Sequence, residues 1–308
     1  MENTAFVFPG QGSQALGMLA ELAESQSVIG ETFAQASLAL GYDLWELVQQ
    51  GPVETLNETD KTQPALLAAS VAIYRAYVAS GKTLPQVMAG HSLGEYSALV
   101  CAGVIDFEAA IKLVELRGQL MQQAVPAGTG AMFAIIGLDN EAIAKACEEA
   151  SQGDVVSPVN YNSPGQVVIA GEKAAVERAA ALCKENGAKM AVALPVSVPS
   201  HCQLMKPAAD KLAIALNDIE FSAPSVSVIN NVDVASPAAA QEIKDALVRQ
   251  LYCPVRWSET VELMASQGIT DLFEIGPGKV LTGLSKRINR SLTAKTINDA
   301  ASFAALTE

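Results

Sequence analysis

Short runs of apolar residues alternate along this chain with longer stretches in which apolar positions recur every three or four residues. The first short run, Ala5-Phe6-Val7-Phe8, stops at Pro9-Gly10-Gln11-Gly12-Ser13-Gln14. A continuous apolar run closed by proline and glycine predicts a strand covered on both faces. Helical periodicity follows to about Gln50 and returns from Pro64 to Ser80. Gln86-Val87-Met88-Ala89-Gly90 predicts a second buried strand that enters another glycine-containing turn. A helix is expected to start at or near Ser92, and a further one spans about Asp106 to Gln123. This alternation of strand, loop and helix predicts an α/β fold with a largely parallel sheet.

Between Pro126 and Pro195 the pattern changes. Ala131–Ile136 is expected as a strand, Glu141–Ala150 as a helix, and Val155–Tyr161 as a strand whose Pro158 suits a sheet edge. A turn at Asn162-Ser163-Pro164-Gly165 precedes a strand over Gln166–Gly171, a helix over Glu172–Glu185 and a strand over Lys189–Leu194. The order βαββαβ is the ferredoxin-like pattern. It reads as an insertion, because α/β signals resume after it: a strand at Ser225–Ile229, a helix near 239–250, and a strand at Asp271–Ile275 ahead of Gly276-Pro277-Gly278.

Composition narrows what such a fold can do. The 308 residues are 50% hydrophobic and 17% charged, with 22 Gly and 14 Pro, which excludes disorder and collagen-like repeats. Lys+Arg is 20 against Asp+Glu 33, a formal net charge of −13, which argues against nucleic acid as the partner. Cys101, Cys147, Cys183, Cys202 and Cys253 are widely spaced, with no C-x-x-C, so reduced thiols are expected rather than disulfides or zinc. The opening Met1-Glu2-Asn3-Thr4 has no basic leader character, and no apolar run has membrane-spanning length. Only two histidines are present, so chemistry that needs an imidazole has two candidates.

Gly90-His91-Ser92-Leu93-Gly94 is G-x-S-x-G between an expected strand and an expected helix. That context is what a nucleophile elbow requires: the glycines let the two backbones pass closely at a turn that exposes the serine oxygen. The helix N-terminus favours developing negative charge, and the Leu93 N–H can point at an oxyanion. A serine nucleophile needs a base. His91 adjoins Ser92, and neighbouring side chains on such a turn point apart, which leaves His201 in Val198-Pro199-Ser200-His201-Cys202. No Asp stands in a convincing strand-end loop between Ser92 and His201. A backbone carbonyl can orient the imidazole instead, and a Ser–His dyad can suffice.

Arg117 stands out on its helix. The polar stripe there is Lys112, Glu115, Gln119 and Gln122, and Arg117 falls on the opposite side with Ala110, Val114 and Met121. A buried guanidinium needs an anionic partner. Two partners fit: an Asp or Glu of the protein, or a substrate carboxylate held by two parallel hydrogen bonds. The loop Pro9-Gly10-Gln11-Gly12-Ser13 can bring a second backbone N–H to the elbow, but does not spell a dinucleotide-binding fingerprint. Gly276-Pro277-Gly278-Lys279 lacks the full phosphate-loop pattern and reads as a turn at a strand end.

Taken together these residues resemble the malonyl-CoA:acyl carrier protein transacylase family of bacterial fatty-acid synthesis. The resemblance runs end to end, through Phe6-Val7-Phe8-Pro9-Gly10-Gln11-Gly12-Ser13-Gln14, Thr62-Gln63-Pro64-Ala65-Leu66, Gly90-His91-Ser92-Leu93-Gly94-Glu95-Tyr96, Arg117, His201, Pro254-Val255-Arg256-Trp257 and Glu274-Ile275-Gly276-Pro277-Gly278-Lys279. It implies a hydrolase-like large subdomain with a parallel sheet over residues 1–125 and 206–308, and a ferredoxin-like small subdomain over 126–205. It further implies Ser92 as nucleophile, His201 as base and then acid, and the Gln250 carbonyl as the group that orients His201. The N–H groups of Gln11 and Leu93 become the oxyanion hole, Arg117 the malonyl carboxylate site, and Met121 part of the acyl pocket. Gln63 is placed on the substrate side, and Asn160, Asn162 and Gln166, near the expected cleft, are candidates for coenzyme A contact. The implied partners are malonyl-CoA and acyl carrier protein, with no cofactor, metal, nucleic acid or membrane, in the cytoplasm.

Both implied partners are anionic, while the chain is itself strongly negative, so a local basic patch is required. Lys286, Arg287 and Arg290 form the densest cationic cluster and are the expected carrier-protein docking residues, with Lys184, Lys189 and Lys206 as further contributors. Three rivals remain at this level: a serine esterase or thioesterase, a scaffold with a degenerate elbow, and a transferase for another acyl group.

Overall fold

The computed structural model of the chain describes residues 3–196 and 198–307; Met1, Glu2, Ser197 and Glu308 lie outside them, the first two being part of the stretch on which the expectation of no leader rests. In chain order, β1 (Thr4–Phe8) is followed by four helices, α1 (Ala20–Ser25), α2 (Ser27–Leu40), α3 (Leu44–Gln50) and α4 (Val53–Leu56). Then come α5 (Thr59–Ala79), β2 (Val87–Gly90), α6 (Leu93–Cys101) and α7 (Phe107–Ala124). A second group comprises β3 (Gly130–Ile136), α8 (Asn140–Ser151), β4 (Val156–Ser163), β5 (Gln166–Glu172), α9 (Lys173–Glu185) and β6 (Met190–Ala193). The chain ends with α10 (Lys206–Asn217), β7 (Ser227–Ile229), α11 (Ala240–Gln250), α12 (Trp257–Ser266), β8 (Asp271–Ile275), α13 (Val280–Ile288), β9 (Thr293–Ile297) and α14 (Ala300–Thr307).

Five strands form one parallel sheet in the order β7-β2-β1-β8-β9. Side chains of β1 alternate between two apolar layers. Phe6 and Phe8 face the layer built from α5, α6 and α7, whereas Ala5 and Val7 face the layer that holds Trp257, Val261 and Leu284. Coverage on both faces is why β1 and β2 lack polar alternation. Phe8 pairs with Gly90, and Val7 with Glu274, so the C-terminal ends of β1, β2 and β8 open side by side. The expected α/β fold with a parallel sheet is observed.

The other four strands form a separate antiparallel sheet in the order β4-β5-β3-β6, the arrangement that the βαββαβ pattern predicts. α8 and α9 cover one face through Ile143, Val176 and Cys183. The opposite face, with Met132, Ala134 and Val168, packs with Cys202. Pro158 does lie on an edge strand, where the pairing register shifts before Asn160. Val255 bridges to this edge: Tyr161 N–H donates to its carbonyl at 3.0 Å and its own N–H donates to Val159 at 2.8 Å.

Some boundaries differ from expectation. α5 begins at Thr59, five residues ahead of Pro64, so the proline sits inside the helix. Its fixed φ is helical, and its place in the second turn limits the loss to a hydrogen bond near the start. The turn before β5 is narrower than expected, because Asn162 and Ser163 belong to β4. β7 starts at Ser227 rather than Ser225. β9, an edge strand with a mixed burial pattern, gave no clear signal. Among the described residues no helix is long and apolar enough to cross a membrane.

Candidate active site

β2 delivers the chain to Ser92 and α6 leaves from it. Ser92 adopts φ 52° and ψ −111°, a backbone conformation that costs energy for a residue with a Cβ and that lifts its hydroxyl out of the turn. The flanking glycines are required by contact rather than by φ. A Cβ on Gly90 would lie 1.9 Å from the Gly94 carbonyl oxygen, and one on Gly94 would lie 2.0 Å from the Phe8 carbonyl oxygen. Asn231, just past β7, braces the turn: its Oδ1 accepts from Ser92 N–H at 2.7 Å and its Nδ2 donates to the Gly90 carbonyl at 2.7 Å.

His201 reaches the elbow from the segment that follows the antiparallel sheet. Its Nε2 is 2.8 Å from Ser92 Oγ, and its Nδ1 is 2.6 Å from the Gln250 carbonyl oxygen. A carbonyl only accepts, so Nδ1 carries the proton and Nε2 is left to accept from the serine hydroxyl. The third position sought in the sequence is thus a backbone oxygen at the end of α11. Burial pushes the His201 imidazole down to about 3, with the Arg117 charge acting in the same direction. The ring is therefore neutral near pH 7, the state a general base needs. The other histidine points away: His91 Nε2 lies 2.8 Å from Asn162 Oδ1, and its ring packs against Trp257.

Arg117 is 1% exposed, on the predicted face of α7. Its Nη1 donates to Gln63 Oε1 at 2.7 Å, and its Nη2 donates to Gln250 Oε1 at 3.0 Å and to Ser92 Oγ at 3.3 Å. Every one of these acceptors is neutral, and Nε has no acceptor among the described residues. No carboxylate forms an ion pair with it among the described residues. Of the two partners the sequence allowed, a protein carboxylate in direct contact is therefore not what is observed. Met121, one turn on, lines the same cleft and takes a hydrogen bond from Gln63 Nε2 at 3.6 Å.

Gln11 and Leu93 also line the cleft beside Ser92. Leu93 is the first residue of α6, whose N-terminal amides have no intrahelical partner. Neither the Gln11 nor the Leu93 N–H has an acceptor among the described residues. Asn160 lines the opposite wall, with its Oδ1 buried and lacking a donor among the described residues.

The remaining expected residues stand off the cleft. Asn162 is buried and spends its Oδ1 on His91. Gln166 sits at the start of β5, and its Oε1 accepts from Arg287 Nη1 at 2.7 Å. Lys286, Arg287 and Arg290 are exposed at the C-terminal end of α13 and just beyond. Of the further cations, Lys206 is paired with Asp210, and Lys184 and Lys189 are exposed.

Two residues that matter were not found from sequence. Asn231 carries no local signal; only the sheet order sets β7 beside β2. Glu95, in the first turn of α6, is 2% exposed and accepts from Asn231 N–H at 2.9 Å and from Gln250 Nε2 at 2.8 Å. Burial raises its carboxyl to about 7, and these two hydrogen bonds pull the other way. An acid in a short helix that is otherwise apolar or small was a signal that could have been read.

Comparison with known proteins shows the family. A family model for the acyl transferase domain matches residues 5–306. The malonyl CoA-acyl carrier protein transacylase of Haemophilus influenzae is 68% identical over 309 aligned positions, which cover 100% of this chain and 99% of that protein. A crystal structure of an acyl carrier protein S-malonyltransferase from Vibrio cholerae superposes with a TM-score of 0.98 at 69% identity, covering 99% of this chain and 100% of that one. A malonyl-transacylase solved in complex with its type II PKS acyl-carrier protein superposes at 0.97 with 66% identity, covering 98% of each chain.

Proposed function

The chain belongs to the acyl transferase domain family, and from that premise we propose that it moves a malonyl group from malonyl-CoA to the phosphopantetheine thiol of an acyl carrier protein. The observation that carries this reading is Arg117: a buried guanidinium 3.3 Å from the nucleophile oxygen, whose acceptors are all neutral. A malonyl thioester has a carboxylate two carbons beyond its reacting carbonyl, and supplies the missing anion when that carbonyl is at Ser92.

Ser92 Oγ attacks the thioester carbonyl while its proton passes to His201 Nε2. The tetrahedral oxyanion is held by the N–H groups of Gln11 and Leu93, which act in a water-poor cleft at a helix N-terminus. The imidazolium is stabilised by its Nδ1–H bond to the Gln250 carbonyl. Collapse breaks the C–S bond, and His201 returns the proton to the departing coenzyme A thiolate. In the second half-reaction the carrier thiol loses its proton to His201 and attacks the malonyl-Ser92 ester, and Ser92 Oγ leaves with that proton. The route is ping-pong.

Residues 1–125 and 206–308 serve as the large subdomain that carries the nucleophile and Arg117, and 126–205 as the small subdomain that walls the cleft and brings His201 at its end. Asn160, Asn162 and Gln166 face or support the arm of coenzyme A, and Lys286, Arg287 and Arg290 receive the acidic carrier protein. The reaction belongs in the cytoplasm; the five free cysteines suit a reducing compartment. Intact mass of the protein mixed with malonyl-CoA tests the reading. A malonyl adduct on Ser92 that a phosphopantetheine acceptor discharges is expected. Release of free malonate without an acceptor would show an esterase, and no adduct would show a scaffold.

A further inference from the structure

Gln250 joins two ionisable groups that do not touch, Arg117 and Glu95. Its Oε1 takes the hydrogen bond from Arg117 Nη2 at 3.0 Å. Its Nε2 stands among three oxygens, at 2.8 Å from Glu95 Oε2, 3.1 Å from the Ser92 carbonyl and 3.4 Å from Asn231 Oδ1. Turning the amide by 180° would set an NH2 against the guanidinium and an oxygen against a carboxylate, two repulsive contacts in a buried site. Glu95 makes the shortest of the three contacts and is the only carboxyl among them, the other two being neutral amide oxygens. It is itself fixed, because the same Oε2 also accepts from Asn231 N–H at 2.9 Å. The proposed mechanism leaves this buried carboxyl without a task.

We propose that Glu95 is a positioning residue for acyl selectivity: by accepting from Gln250 Nε2 it holds the amide so that Oε1 aims the Arg117 guanidinium at the acyl site. This rests on the malonyl reading above. Arg117 receives neutral acceptors from two sides, Gln63 and Gln250, and keeps the Nη2 edge beside Ser92 for an incoming carboxylate. Without Glu95 the amide loses its strongest acceptor and Arg117 loses a fixed direction.

The test compares loading of Ser92 from malonyl-CoA and from acetyl-CoA in the full chain. In Glu95→Ala the malonyl:acetyl ratio of kcat/KM should fall about tenfold, the scale of a hydrogen bond to a charged group. The loss should lie mainly in the KM for malonyl-CoA. A lesion that merely disturbs the elbow lowers both loadings together and leaves the ratio unchanged. Glu95→Gln keeps one oxygen for the two donors and should restore most of the ratio. A wild-type ratio in folded Glu95→Ala would overturn the proposal, as would a loss in Glu95→Gln as large as in Glu95→Ala. If Glu95→Ala does not fold, Gln250→Leu carries the test. It keeps the backbone acceptor of His201, and a wild-type ratio there overturns the proposal equally. Failure of the wild-type protein to load malonyl at all would instead sink the underlying reading.

Discussion

The two sheets divide the work unequally. Around the parallel sheet stand Ser92, the Gln11 and Leu93 amides, Arg117 and Gln250. The antiparallel sheet supplies a face: Met132 and Asn160 line the cleft from it, and His201 arrives on the segment that leaves it. The reason lies in strand direction. Parallel strands send all their C-terminal ends to one edge, where loops and helix N-termini converge on a ligand. Antiparallel strands send successive ends to opposite edges, so such a sheet more readily offers a wall than a cluster of loops.

If that division is right, damage should be severe at the elbow and mild on the wall. Ser92→Ala should lower transfer by on the order of 10⁵–10⁶-fold, and no malonyl adduct should appear by mass; a surviving adduct would move the nucleophile elsewhere. Gly94→Ala must relieve a 2.0 Å contact with the Phe8 carbonyl oxygen by shifting the turn. At least about a 10²-fold loss in loading rate is expected from misplacing Ser92 by a fraction of an ångström.

Arg117→Ala should separate substrates rather than abolish chemistry. Malonyl loading should drop about 10²-fold while acetyl loading changes little, the difference being a charged pair lost in a buried site. Equal losses for the two thioesters would remove the basis of the carboxylate assignment. The pH profile gives a further test. An exposed imidazole would protonate near 6.5, but His201 is held at about 3 by burial and the neighbouring Arg117 charge. His201 should therefore contribute no acid limb to the single-turnover loading rate between pH 8 and about 5.5, and any limb near 7 belongs to Glu95, whose buried carboxyl lies at about 7, and should vanish in Glu95→Gln. A midpoint near 6.5 that persists in Glu95→Gln would mean that the base is far more hydrated than its surroundings imply.

The smallest effect belongs to the wall. Asn160→Ala should raise the KM for the thioester by about threefold, since it removes one neutral hydrogen bond, and leave kcat nearly unchanged. A loss as deep as at the elbow would break the division between the sheets.

Much of this was legible beforehand because it is local. Alternation of apolar runs and turns located β1, β2 and the four strands of the second sheet; G-x-S-x-G between a strand and a helix located Ser92; helical phase alone buried Arg117. His201 followed from the scarcity of its kind. The family resemblance supplied Gln250, which no spacing or periodicity indicates, because a main-chain carbonyl has no sequence signature. β9 was missed because a half-exposed edge strand has a weak pattern, and α5 was placed too late because a proline was read as a boundary.

What the sequence determined, then, was the set of elements and the identity of the chemical groups, since both depend on periodicities and residue types within a few turns of chain. Tertiary structure alone decided which groups meet. Sheet order places β7 beside β2 and so brings Asn231 under the elbow. The end of α11 brings Gln250 to His201 with its backbone and to Arg117 with its side chain. Glu95 gains its meaning only there, as a buried carboxylate that two donors from distant segments enclose. Contacts between residues more than a hundred positions apart leave no trace in local pattern, and the direction of a single amide depends on every donor and acceptor packed around it.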